Sequence, residues 1–191
     1  MKINFYHKEI RSLVKSFSYA FRGLWFCIRN ERNMRIHIVS SVLVLLFSLI
    51  YGLTRVELAV LSVTLGLVMM CELINTAIEA LVNLESPSYD NLARIAKDVA
   101  AGAVLMCAFA AVGVAIALFL RPAKLAAAIA TILSTPMYAM GFLLILVVGL
   151  VFIFKGPKRE RPNRDAVKVY RPENRRKRRL HDETSGTHKK R

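Results

Sequence analysis

Four long apolar stretches constrain this chain more than any other feature. They run over residues 36–53, 58–83, 99–120 and 137–154. Each approaches or exceeds the roughly 20 residues that a helix needs to cross a bilayer. Inside hydrocarbon every backbone N–H and C=O must be satisfied by the chain itself, which favours membrane-spanning helices. The hydrophobic share of 55% exceeds the roughly 45–50% of ordinary soluble domains, so a soluble core is the wrong frame. With 191 residues, the chain has room for one modest domain. The first 35 residues are too charged for a cleavable secretory signal.

The charge is large, +15, and its placement is more informative than its size. All but five of the 28 lysines and arginines lie in residues 1–35 and 155–191. Basic ends on a membrane protein predict a cytoplasmic position for both. Four spans give the same result, because an even number returns the chain to its starting side. The connection around 84–97 is then cytoplasmic, and the connections around 54–57 and 121–136 face outward. Within 9–29, Ile10, Leu13, Val14, Phe17, Phe21, Leu24, Trp25 and Ile28 repeat at helical spacing, with Arg11, Lys15, Ser18, Arg22 and Arg29 opposite. That pattern predicts an amphipathic helix lying in the membrane interface. The tail, with Arg175-Arg176-Lys177-Arg178-Arg179, is almost without apolar residues and predicts disorder. It reads first as a solvated, orientation-setting tail, and second as a contact for anionic lipid. No specific nucleic-acid partner is expected. Cys27, Cys71 and Cys107 are widely separated, without metal-ligand spacing, and read as small apolar fillers.

The second span changes character toward its end. Glu72, Asn75, Glu79 and Asn83 follow one another by three, four and four residues and so share one helix face. An acid such as Glu72 within a span costs about 2.5–3.5 kcal/mol on insertion scales, which makes it a functional candidate. The bland alternative is hydrogen bonding of Glu72 and Asn75 to neighbouring helices. Two further polar groups lie at the predicted cytoplasmic level: Asn30-Glu31-Arg32 before the first span and Lys97-Asp98 before the third. Glu31 and Glu79 can hold Mg²⁺ together with nucleotide phosphates, since Mg²⁺ commonly uses one or two carboxylates plus phosphate oxygens. Lys97 can neutralise a transferring phosphoryl group. Glu72 can accept the proton of a lipid hydroxyl. Asp98 also suits a plain role at a helix start, offsetting the dipole and lying four residues from Arg94. Neither familiar phosphate loop is present.

Four strings carry a resemblance. Glu72-Leu-Ile-Asn-Thr-Ala-Ile-Glu79 and Ala93-Arg-Ile-Ala-Lys97-Asp98-Val-Ala-Ala-Gly102 resemble the signatures of the bacterial diacylglycerol kinase/undecaprenol kinase family. Asn30-Glu31-Arg32-Asn33-Met34-Arg35-Ile36-His37 and the Ser86-Pro87-Ser88-Tyr89 loop look like its Gram-positive branch. The resemblance covers about residues 10–121. It implies an ATP- and Mg²⁺-dependent lipid kinase of the bacterial cytoplasmic membrane, a homotrimer with shared sites. By resemblance Glu72 is the general base, and Glu31 and Glu79 bind the metal. Tyr19, Ser86, Ser88, Lys97 and Asp98 lie at the nucleotide, Asn75 orders the site, and Arg35 lies at the lipid headgroup. The chain departs from the pattern at Ser12, where the family often has arginine, and at Asp90, where the Gram-positive branch often has histidine.

The predicted fold is an all-α membrane protein. It has an interfacial segment (1–35), a three-helix kinase core (36–121), a linker and extra span (122–154) and a basic tail (155–191). The branch-like motifs favour undecaprenol as substrate, with diacylglycerol as the alternative. A non-enzymatic scaffold acting through its tail and a lipid-binding transporter component are readings of other classes.

Overall fold

The computed structural model describes residues 2–85 and 91–157, with side chains described over 9–83 and 91–157. These residues fall within the first of the chain's two units, Met1–Arg159; the second, Glu160–Arg191, lies wholly outside them. The described residues form helices α1 (Lys2–Asn30), α2 (Arg32–Tyr51), α3 (Arg55–Glu85), α4 (Asn91–Phe119), α5 (Pro122–Ser134) and α6 (Pro136–Lys155). Four of them, α2, α3, α4 and α6, are long and apolar enough to cross a membrane. The protein is therefore an all-α membrane protein, as its apolar stretches predict. The predicted disorder of the tail concerns residues outside those described.

The helix ends follow from local chemistry. Gly52 closes α2 in the left-handed region at φ 70°, and its N–H donates to the Ser48 carbonyl at 3.0 Å. Only glycine adopts that backbone without steric cost. Thr54 and Glu57 then form a capping box. The Thr54 N–H donates to Glu57 Oε2 at 2.8 Å, and the Glu57 N–H donates to Thr54 Oγ1 at 3.3 Å. Pro122 and Pro136 stand at the first turns of α5 and α6, where the missing N–H costs nothing.

Helix α5 departs from the sequence reading, which left 121–136 as a connection. Its Ala-rich run is a strong helix former, and it packs against α2 and α6. Lys124 donates to the Gly52 carbonyl at 2.8 Å and lies 4.7 Å from the Tyr51 ring. Arg121 pairs with Glu57. The Tyr51 hydroxyl donates to the Phe119 carbonyl at 3.2 Å, and Phe47, Tyr51 and Phe119 form a ring cluster. This end of the bundle is thus tied across α2, α3, α4 and α5.

Antiparallel α3 and α4 pack along the greatest length, and α2 packs against α3, α5 and α6. Helix α1 meets α2 and α3. Most of its apolar stripe, from Ile10 to Trp25, is exposed, as a helix resting on a bilayer requires. The Cys71 and Cys107 sulfurs, far apart in sequence, sit 2.7 Å apart across α3 and α4 as free thiols.

Candidate active site

The site is built where α1 turns into α2 and both meet α3. Glu31 makes the turn, in extended backbone at φ −103° and ψ 121° between the two helices. Its carboxylate therefore sits beside the N-terminus of α2, where negative charge is favoured. Cys27, in the last turn of α1, contacts Thr76 of α3, Sγ to Oγ1 at 3.2 Å. Thr76 also donates to the Glu72 backbone carbonyl at 3.0 Å. Asn33, in the first turn of α2, lies beside the Glu72 side chain, and Glu31 and Glu79 are near enough for their charges to act on it. Asn75 donates to Glu79 Oε1 at 3.2 Å.

Glu72 is 1% exposed. Among the described residues nothing donates to its Oε2, nor to Asn75 Oδ1. Buried acceptors are nearly always paired, so two orphans on one helix face mark a place prepared for a donor from outside the chain. Burial, followed by the Thr76 hydrogen bond acting the other way, and reinforced by the charges of Glu31 and Glu72, pushes the Cys27 thiol above its ordinary pKa. Cys27 is thus a neutral packing group beside the acids.

The position of Glu72 along α3 is set against the neighbouring helices. Glu72 lies well before the end of α3, but α3 is longer than the bilayer needs. Helix α2, with 20 residues, spans about 30 Å at 1.5 Å per residue. Glu72 stands opposite the start of α2, and α3 runs on to Glu85, about 20 Å further along its axis. Glu72 is buried where α3 meets the α1–α2 elbow.

Lys97 and Asp98 take a different position from Glu31. The Lys97 ammonium donates to Asn83 Oδ1 at 2.6 Å, which is about 16 Å along α3 from Glu72 by helical rise. Asp98 is exposed, and Arg94 donates to Asn91 Oδ1 at 2.9 Å. The polar groups thus form a file along α3: Glu72, then Asn75 and Glu79, then Asn83 with Lys97. Tyr19 is 60% exposed on α1 with Arg22 at 4.9 Å over its ring, and lies about 12 Å back along that helix from Cys27. Arg35 is 7% exposed and donates to the carbonyls of Ile28 and Arg29, both at 3.1 Å. It is turned into the elbow. Ser86 and Ser88 lie outside the described residues. The sequence reading passed over Asn33, Thr76 and Cys27. Thr76 could have been found from its i+4 relation to Glu72; Asn33 and Cys27 needed the tertiary contact.

The chain resembles known proteins over the same region. Residues 18–119 match the model of the family described as prokaryotic diacylglycerol kinase. The chain is 46% identical over 112 residues to a diacylglycerol kinase of Synechocystis, covering 58% of this chain and 64% of that protein. The match thus spans slightly less than two thirds of that relative. It is 37% identical over 120 residues to the undecaprenol kinase of Bacillus subtilis, covering 63% of this chain and 96% of the relative. It is 30% identical over 100 residues to the diacylglycerol kinase of Escherichia coli, covering 52% and 82% respectively. No solved structure matches the chain significantly. The family match takes in α2, α3, α4 and the C-terminal part of α1, and so every residue of the elbow and of the polar file. The chain therefore belongs to the prokaryotic diacylglycerol kinase family of membrane lipid kinases.

Proposed function

We propose that this protein transfers the γ-phosphoryl group of ATP to the hydroxyl of a membrane lipid, with undecaprenol as the substrate. The observation that carries the reading is the buried carboxyl of Glu72, whose Oε2 has no partner among the described residues. Asn33 lies beside this carboxyl, and Oε2 is left to accept the hydroxyl proton. The hydroxyl oxygen then bonds to the γ-phosphorus as the bond to the β-phosphate oxygen breaks, giving lipid phosphate and ADP. Lys97, at the outer end of the file, offsets the phosphate charge. Tyr19 and Asp98 flank the nucleotide, as do Ser86 and Ser88. Asn75 holds Glu79.

Magnesium fits these residues. Glu31 and Glu79 act electrostatically on Glu72, and hard oxygen donors are what Mg²⁺ takes. Among the described residues no three His, Cys, Asp or Glu side chains gather into a ready metal site. Two carboxylates completed by phosphate oxygens are the usual Mg²⁺ arrangement. Bound there, the ion supplies charge neutralisation to the phosphates.

The Gram-positive look of residues 30–37 and 86–89 supports undecaprenol, as does the near-complete overlap with the Bacillus relative. Diacylglycerol is the second reading, favoured by the higher identity to the Synechocystis relative. A homotrimer completes the assembly, and the site and both termini face the cytoplasm. The test is Mg²⁺-dependent transfer of labelled phosphate from ATP to each lipid in detergent micelles, with Glu72→Gln alongside. Faster transfer to undecaprenol, lost in the variant, supports the reading. A preference for diacylglycerol keeps the chemistry and changes the substrate. Transfer to neither by folded protein overturns it.

A further inference from the structure

Helix α6 contributes none of the groups gathered at the elbow, which come from α1, α2 and α3. It nevertheless packs along α2. Its contacts follow one stripe of α2, through Arg32, Arg35 and Val39. The Arg32 guanidinium lies 4.5 Å from the Phe154 ring. A Cβ built on Gly149 would meet Val39 Cγ1 at 2.6 Å. A Cβ built on Gly156 would meet Arg35 Cζ at 2.7 Å and Nη1 at 2.9 Å.

The same Arg35 Nη1 donates to the carbonyls of Ile28 and Arg29. These belong to the last turn of α1, where carbonyls lack intrahelical donors and a cation is favoured. Arg35 is thus held between two surfaces, the end of α1 and the backbone of Gly156. The next residue but one after Arg29 is Glu31.

We propose that α6 is a positioning element for Glu31, acting through Gly156 and Arg35; this rests on the reading of Glu31 as a metal-binding carboxylate of a kinase. The physical chain is short. Gly156 leaves room for the guanidinium to lie flat against its backbone. Any side chain at 156 displaces that flexible end rather than a backbone, so the fold survives while Arg35 leaves its carbonyls. The last turn of α1 then loses its donor, and Glu31 loses its fixed place. Asn33, Glu72 and Thr76 stand on the α3 side of the elbow and are spared. An added helix thereby sets metal affinity without touching the metal, as groups behind a ligand commonly do.

The test uses the full chain in detergent and two readouts. Mn²⁺ binding is measured by electron paramagnetic resonance, and the Mg²⁺ requirement and lipid KM are measured in the transfer assay. Gly156→Ala is expected to weaken Mn²⁺ binding and raise the half-maximal Mg²⁺ concentration, each by about tenfold, with lipid KM unchanged. Arg35→Lys, which keeps the charge and loses the planar fork, is expected to weaken Mn²⁺ binding likewise with Gly156 intact. Gly149→Ala crowds α6 against Val39 only, and is expected to lower the unfolding temperature with Mn²⁺ binding unchanged. Unchanged Mn²⁺ affinity in both Gly156→Ala and Arg35→Lys overturns the proposal. So does an equal loss in Gly149→Ala, which would mean general packing, and so does a wild-type protein that binds no Mn²⁺. Wild-type protein that binds Mn²⁺ yet phosphorylates neither lipid refutes the kinase reading, while the Mn²⁺ comparison still decides the role of α6.

Discussion

Two orphan acceptors on α3, Glu72 Oε2 and Asn75 Oδ1, carry most of the chemistry that can be argued at the residue scale. Glu72→Gln keeps the volume while removing the proton acceptor. Transfer is expected to fall by about 10²–10⁴-fold, the usual worth of a general base. The unfolding temperature should hold or rise, because an amide costs less to bury than a carboxylate. Loss of activity with loss of folding would instead make Glu72 structural. Cys27 offers a second check. Its buried thiol is held above the ordinary pKa, so it stays protonated and shielded at neutral pH. In a Cys71→Ala/Cys107→Ala background, maleimide should label native protein slowly and labelling should accelerate on denaturation. Fast labelling of the folded protein would mean that the elbow opens.

At the element scale the chain's turns are specified by single residues. Gly52 sits at φ 70° with open space around its Cβ position, so Gly52→Ala meets backbone strain and no clash. It should cost about 1 kcal/mol, read as a lower unfolding temperature with lipid KM unchanged. Transfer kinetics altered at full stability would argue that this remote turn moves during catalysis. Helix α5 gives the contrary lesson. Its Ala-rich composition suits a helix, yet its 13 residues fall short of a span. What stabilises it is tertiary, the Lys124 bond to Gly52 and packing against α2 and α6.

For the whole molecule, the start of α2 and the end of α6 meet through Arg32 with Phe154 and Arg35 with Gly156. Residues before α2 and after α6 therefore emerge at one end of the bundle, and the basic bias assigns that end to the cytoplasm. In a cysteine-free background, Ala123→Cys should react with a membrane-impermeant maleimide in right-side-out vesicles and Lys155→Cys should not. The reverse pattern would invert the topology. Reaction of both would separate α6 from the bundle.

What the sequence alone determined was the set of spans, the shared face of Glu72, Asn75 and Glu79, and the family. Those properties are local: hydrophobic run length, 3.6-residue periodicity and short contiguous strings. It also predicted a common level for Glu31 and the α3 acids, because charge bias orients the spans. It could not say that Asn33 and Cys27 reach α3, that Arg35 turns inward onto α1, or that two distant cysteines touch. Nor could it say that Glu72 stands beside the α1–α2 elbow. Each depends on how far one helix extends past another and on which faces meet. Helix periodicity specifies the face a residue occupies, while packing between helices decides what that face meets.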